Sequence, residues 1–252
     1  MTNEIHLNNL FNIENKVIVI TGASRGIGKY LAEGFNDLGA RVHGLGSKPE
    51  SIEWMKGSGI NGHSTNMRHP EEIHSTLQSI HQKEGRIDVL INNAGIASNT
   101  PASGMKMDEL MNIVETNYIG VFQSCQAYYK LQKKQGGNII NFASVLGMIG
   151  TPLASIYSGT KGAVISLTKA LAIEWVKNDF RLNTICPGLI ETDMTAMITD
   201  RPLIKEQVQA NIPMKRMGLP KDLLGATVFL ASDASKYMTG SSIIVDGGMT
   251  AQ

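Results

Sequence analysis

Short apolar runs alternate with amphipathic stretches along almost the whole chain, and this alternation constrains the fold more than any other feature. The predicted strands are Val17–Thr21, Arg41–Leu45, Val89–Asn92, Asn138–Phe142, Leu182–Cys186 and Ser242–Val245, with a weaker one at His63–Asn66. They are continuously apolar rather than alternating, the pattern of strands covered on both faces. Between them, Tyr30, Leu31, Phe35 and Leu38 recur at helical spacing and stop at Gly39; Ile73, Leu77 and Ile80 do the same after Pro70. Strand–helix alternation from end to end predicts an α/β fold, a doubly wound and mostly parallel sheet with helices on both faces. No linker, repeat or low-complexity stretch interrupts it, so residues 1–252 are expected to form one domain.

Three residues carry the chemistry. Ser144 lies thirteen positions before the pair Tyr157-Ser158-Gly159-Thr160-Lys161. Tyrosine is a poor acid or base at neutral pH because its pKa is near ~10. A lysine four residues later stands one helical turn away on the same face, where its ammonium can stabilise the phenolate and lower that pKa. A serine hydroxyl alongside can hold a carbonyl oxygen while the tyrosine gives it a proton. Such a set suits ketone reduction or secondary-alcohol oxidation. The chain holds a second Tyr-x-x-x-Lys, Tyr129 to Lys133, late in a predicted helix that precedes Gly136-Gly137 and a strand. That helix returns the chain to the starting edge of the sheet, whereas ligands bind beyond the strands' carboxyl ends. Tyr129 is therefore read as a helix-surface tyrosine.

The first predicted strand runs into Thr21-Gly22-Ala23-Ser24-Arg25-Gly26-Ile27-Gly28 and then a helix. Glycines at 22, 26 and 28 tighten the turn and let a pyrophosphate approach backbone N–H groups at the helix N-terminus. The same residues spell the Gly-x-Ser-x-Gly nucleophile elbow of a hydrolase. That rival needs an acid and then a histidine downstream. All six histidines lie at or before His81, and Asp37 is the only aspartate between Ser24 and His81, so the hydrolase reading fails.

Composition narrows the classes further. A net charge of +1 gives no reason to invoke nucleic acid or an anionic membrane. Cys125 and Cys186 have no metal-ligand spacing and are expected to be buried thiols; no metal site is expected. Met1–Asn15 carries Glu4 and Glu14 with neither a basic start nor an apolar core, which does not suit a signal peptide, and no run reaches the ~18 apolar residues of a membrane span. A cytoplasmic protein is expected.

With the glycine loop and the Ser/Tyr/Lys set both in place, the chain resembles the short-chain dehydrogenase/reductase family from about Asn15 to Gly248. Asn92-Asn93-Ala94-Gly95, Asn117 and Pro187-Gly188-Leu189-Ile190-Glu191-Thr192 extend the match in order. The resemblance implies a Rossmann-type dinucleotide-binding and catalytic domain. It makes Tyr157 the general acid/base, Ser144 the group that orients the carbonyl, Lys161 a ligand of the nicotinamide ribose, and Asn117 the holder of a relay water. It sets Gly22, Ser24, Arg25, Gly26, Ile27 and Gly28 around the pyrophosphate, and Asn93, Ala94 and Gly95 along the cofactor floor. Asn66 and Met67 then meet the adenine, while Pro187, Gly188, Ile190 and Thr192 border the nicotinamide. Residues 190–215 form the segment that sets substrate specificity.

Cofactor choice follows from Val42-His43-Gly44-Leu45-Gly46-Ser47-Lys48. An acid at the end of the second strand usually grips the ribose hydroxyls of NAD(H); here Gly46 takes that place. Arg25, Ser47 and Lys48 are instead suited to a 2′-phosphate, so NADP(H) is expected over NAD(H). The predicted helix over 155–177 is apolar around most of its circumference, more than one sheet can bury, and predicts a homo-oligomer; the resemblance suggests a tetramer through it and the helix of Asn117.

Parts of the chain resemble the 3-oxoacyl-carrier-protein reductases of the family, notably Ile190-Glu191-Thr192-Asp193-Met194 and Phe229-Leu230-Ala231-Ser232-Asp233. In those enzymes two arginines dock the carrier; the matching positions are Gln135 and Asn178, with Lys133, Lys134 and Lys177 nearby. Glu174-Trp175-Val176-Lys177 and Gly218-Leu219-Pro220-Lys221-Asp222-Leu223 resemble the sugar and sugar-acid dehydrogenases. The sequence leans to a small carbonyl, sugar-acid or polyol substrate, with the carrier-bound 3-oxoacyl chain as the alternative. A non-catalytic nucleotide sensor would be expected to lack one of Ser144, Tyr157 and Lys161.

Overall fold

A computed structural model describes residues 7–252; the part of the targeting-signal reading that rests on residues 1–6 lies outside them. Seven strands form one parallel sheet in the order β3-β2-β1-β4-β5-β6-β7. They are β1 (Val17–Thr21), β2 (Arg41–Gly46), β3 (Asn61–Ser64), β4 (Val89–Asn92), β5 (Gly137–Phe142), β6 (Phe180–Pro187) and β7 (Ser242–Val245). The helices are α1 (Leu7–Leu10), α2 (Gly26–Asp37), α3 (Pro70–Glu84), α4 (Met107–Val114), α5 (Gly120–Gln132), α6 (Ser155–Trp175), α7 (Ala196–Thr199), α8 (Pro202–Ala210) and α9 (Lys221–Ala231).

β1 shows why continuous apolar runs become central strands. Val17 and Val19 point into the core shared with α3, α5 and α6, and Ile18 and Ile20 point into the core shared with α2 and α9; all four are fully buried. Six predicted strands match those observed to within two residues. The weaker third one lies two residues earlier than expected. Thr65 still donates to Gly46 O at 2.7 Å, but the chain then turns at Asn66, whose Oδ1 accepts from Arg68 N and whose carbonyl accepts from His69 N.

The sheet reverses direction of growth at β1. The chain leaves β1 toward β2 and β3 and crosses back to β4, which pairs with the other side of β1. This switch point opens a crevice at the carboxyl edge, the ligand position of such sheets.

The apolar excess expected over 155–177 is mostly absorbed within the chain. Val164, Ile165, Leu171, Ala172 and Trp175 are buried, and Trp175 stacks on Tyr129 with ring centroids 4.3 Å apart. Ile173 and Val176 stay exposed, at 80% and 52%. Tyr129 is therefore not the surface residue predicted. It is half-buried between Trp175 and Phe180, and its hydroxyl donates to Asn178 Oδ1 at 2.8 Å. Both cysteines are free and buried; burial pushes the Cys125 thiol up to about 12 and that of Cys186 to about 11.

Candidate active site

The turn after β1 is built by close approach. Gly22 and Gly26 take left-handed backbone, with φ of 68° and 55°. Gly28 stands so near the returning chain that a Cβ there would lie 2.2 Å from Gly22 O and 2.4 Å from Asn93 Nδ2. Asn93 holds this turn from behind, donating through Nδ2 to Thr21 O at 3.1 Å and Gly22 O at 3.2 Å. Thr21 Oγ1 in turn accepts from the backbone N–H groups of Asn93 and Ala94. The side chain of Asn93 is thus committed to buttressing the glycine loop.

All the residues read from the sequence as cofactor contacts border one cavity of about 830 Å³ at the switch point. Gly22, Ser24, Arg25, Gly26, Ile27, Gly28, Ser47, Lys48, Asn66 and Met67 line its nucleotide end. Asn93, Ala94, Gly95, Pro187, Gly188, Ile190 and Thr192 line the middle. Its size falls in the ~300–1,000 Å³ range of small-molecule and cofactor sites. Of the four residues read as catalytic, Ser144, Tyr157 and Lys161 line it; Asn117 stands behind.

Asn117 sits in a single π-turn, Glu115–Ile119, inserted between α4 and α5. Such turns often re-aim a side chain at a functional site. The buried carboxamide accepts from Ile96 N at 2.9 Å and donates to Ile96 O at 2.8 Å and to Thr160 Oγ1 at 3.3 Å. A Cβ on Gly95 would lie 3.5 Å from both Asn117 Oδ1 and Lys161 Nζ, so these two polar groups flank one small residue.

Ser144 follows β5, and Tyr157 and Lys161 occupy the first turns of α6. Ser144 is buried, and its Oγ accepts from Leu146 N at 3.1 Å. Burial raises the Tyr157 phenol above its ordinary 10.0, with the hydrogen bond to Ser144 acting in the opposite direction. The sequence expectation that Lys161 would depress this pKa is not met in this arrangement. Lys161 Nζ donates to Phe142 O at 2.7 Å and lies 5.7 Å from the Tyr157 ring centroid. Burial lowers the Lys161 ammonium to about 8. The phenol thus carries its proton in this arrangement, as a donor to a carbonyl oxygen requires.

The substrate end includes residues that sequence reading missed. Ser98, Asn99, Thr151, Pro152 and Met249 line it, together with Val208 of the expected specificity segment. Asn99 Nδ2 reaches Met197 Sδ at 3.2 Å across the mouth. Met249 arrives from the C-terminal tail, where Asp246 accepts from Gly248 N and Thr250 N. No motif marks these positions, since they meet only through the fold. Arg68 was also missed; it borders the nucleotide end and pairs with Glu115 at 2.8 Å. Its signal was the cation next to Asn66-Met67.

A nucleotide-sized cradle and a proton-donating tyrosine opening into one cavity define a class of protein: Rossmann-type oxidoreductases that interconvert carbonyl and secondary alcohol with a nicotinamide cofactor. Comparison with known proteins agrees. A family model described as enoyl-(acyl carrier protein) reductase matches residues 22–250. The chain is 38% identical over 242 residues to a 3-oxoacyl-[acyl-carrier-protein] reductase of Vibrio cholerae, covering 94% of this chain and 98% of that one. The counterpart of Staphylococcus aureus is 37% identical over 245 residues, covering 93% and 98%. A short-chain type dehydrogenase/reductase from Mycobacterium marinum superposes with a TM-score of 0.91 at 34% identity, over 98% of this chain and all of that one. A gluconate 5-dehydrogenase from Burkholderia cenocepacia, solved with NADP and tartrate, gives 0.93 at 29% identity over 98% and 100%. The chain belongs to the short-chain dehydrogenase/reductase family.

Proposed function

We propose that this enzyme is an NADPH-dependent reductase of small, uncharged ketones. The observation that carries the reading is the lining of the substrate end. Leu146, Met194, Met197, Ile198, Val208 and Met249 make it apolar, and Asn99 supplies a neutral hydrogen-bonding group, while the Ser98 hydroxyl is held by Glu109. The charged residues bordering the cavity are Arg25, Lys48, Arg68, Lys161 and Asp193. Arg25, Lys48 and Arg68 belong to the nucleotide end, and Lys161 is buried against Phe142 O. A sugar acid would therefore bring a carboxylate to a wall with no cation, and desolvating an unpaired charge costs several kcal/mol.

The residues present fit a phosphorylated dinucleotide. The Gly28 cradle admits backbone N–H groups close to a pyrophosphate. At Gly46, where an NAD(H) enzyme carries its acid, a Cβ would lie 2.6 Å from Ser51 Oγ and 2.7 Å from Ile52 Cγ2, so no acidic side chain fits. Arg25, Ser47 and Lys48 border the same end and can hold a 2′-phosphate. When bound, the cofactor supplies hydride to the carbonyl carbon. Ser144 holds the carbonyl oxygen, and Tyr157 transfers its phenolic proton to it. Lys161 and Asn117, both close to Gly95, would resupply that proton and fix the ribose. Residues 190–215 shape the specificity wall.

A second reading is supported by the curated relatives, which are named as carrier-protein reductases. Against it, Gln135 and Asn178 stand where the resemblance implies docking arginines, and the Asn178 carboxamide is engaged by Tyr129. A panel decides between them: kcat/KM with NADPH on a small 3-oxo ester, a keto-sugar acid and a carrier-bound 3-oxoacyl thioester. The proposal expects the neutral ester to be preferred. A carrier-bound preference that charge reversal at Lys133, Lys134 and Lys177 abolishes would overturn it.

A further inference from the structure

Three cations border the nucleotide end of the cavity, and they are not equally free. Arg68 is held by Glu115 at 2.8 Å. Lys48 makes no ion pair among the described residues. Arg25 faces Asp193 across the cleft, with Nε 3.8 Å from Oδ2, and both side chains are exposed, at 76% and 68%. Asp193 is the first residue of a short turn, Asp193–Thr195, beyond β6. The neighbouring residue Thr192 lies against the glycine loop, its methyl 3.4 Å from where a Cβ on Gly26 would be. On the other side, Glu191 pairs with Lys205 of α8 at 2.8 Å. The two acids flanking Thr192 thus fasten this strap to opposite walls, Glu191 to the substrate-side helix and Asp193 to the glycine loop.

We propose that Asp193 is a cofactor-discriminating residue that competes with the nucleotide 2′-phosphate for Arg25. The inference rests on the NADPH reading above. The guanidinium fork matches a carboxylate or a phosphate, and a phosphate that takes the Nε edge displaces Asp193 from it. A dinucleotide bearing the 2′-phosphate must take Arg25 from Asp193, and one lacking it leaves the pair in place. Asp193 therefore weakens NADP(H) selectively and tempers the preference that Arg25 and Lys48 create. An exposed ion pair contributes about 0.2–1 kcal/mol, the upper part of which corresponds to a two- to five-fold change in affinity.

The test is equilibrium titration of NADPH and NADH by nucleotide fluorescence, with no substrate present, on the full chain and on Arg25→Ala, Asp193→Asn and the double variant. Asp193→Asn should tighten NADPH two- to five-fold and leave NADH unchanged. In the Arg25→Ala background the same substitution should have no effect, because the acid acts through Arg25. Tightening that persists without Arg25 would identify bulk charge repulsion and overturn the proposal. So would an Asp193→Asn variant that binds both cofactors as the parent does while Arg25→Ala still loses NADPH selectively. If Arg25→Ala weakens both cofactors equally, the NADPH reading itself fails.

Discussion

Gly28→Ala tests whether the nucleotide cradle is as tightly built as its geometry states. The new methyl would lie 2.2 Å from Gly22 O and 2.4 Å from Asn93 Nδ2. A carbon–oxygen contact normally settles at ~3.3 Å or more, so the loop and helix must separate by about 1 Å. That separation overpacks the turn, at about 1–3 kcal/mol. It also pulls apart the two bonds from Asn93 Nδ2 to Thr21 O and Gly22 O, at about 1 kcal/mol each. The total of about 3–5 kcal/mol is a large share of the ~5–15 kcal/mol that holds a domain folded. Urea denaturation should show the midpoint falling by about 1–2 M for an m-value near ~3 kcal/mol/M. NADPH affinity should fall with it, because the displaced N–H groups no longer converge. Gly225→Ala is the control. Nothing lies within 4 Å of a Cβ there and the residue is mid-helix in α9, so it should gain up to about 1 kcal/mol. A Gly28→Ala variant with the parent's midpoint and affinity would refute the reasoning.

Two further predictions concern acid stability and assembly. Burial lowers His43 and His63 below 6.5, His63 to about 4, in a chain where His63 Nε2 meets His43 Nδ1 at 3.0 Å and His43 Nε2 meets Glu84 at 3.2 Å. The unfolded chain binds protons that these rings refuse, so their contribution is intact above pH 6.5 and is lost as pH falls toward 4. After discounting for the partial exposure of His63, about 2 kcal/mol should disappear over that window; urea midpoints that stay flat from pH 7 to 4.5 would contradict this. Ile173 and Val176 on and after α6, and Met107, Met111 and Ile119 near the π-turn, are exposed apolar side chains that subunit contacts would cover, and light scattering at micromolar concentration should report four times the 27.3 kDa chain mass. A monomer would refute the assembly.

What the sequence disclosed and what it hid divide along a physical line. Strands buried on both faces must be apolar throughout, so Val17–Thr21 and Val89–Asn92 were readable to the residue. The third strand was misplaced because β3 is an edge strand with only His63 and Asn61 half-buried, which leaves no apolar run to mark it. Ser144, Tyr157, Lys161 and the glycine loop were legible because their spacing is local. The π-turn that aims Asn117 was not, since a helix that gains one residue keeps the same kinds of side chains. The partner of Lys161 was hidden for a related reason. Spacing sets Lys161 on the same helix face, but only the fold shows its ammonium bound to Phe142 O. Met249 at the substrate end could not be foreseen, because only the folded chain brings it to the cavity that Met197 and Val208 also border.

The central claim is that Tyr157 gives its proton to a carbonyl oxygen while the other Tyr-x-x-x-Lys pair is structural. The direct measurement is single-turnover NADPH oxidation with a neutral ketone for Tyr157→Phe and Tyr129→Phe, with NADPH binding titrated on each. Tyr157→Phe should lose about 10²–10⁴-fold in rate and keep its NADPH affinity. Tyr129→Phe removes only the bond to Asn178 and should turn over as the parent does. A Tyr157→Phe enzyme that keeps the parent's rate, or a Tyr129→Phe enzyme that loses it, would contradict the account.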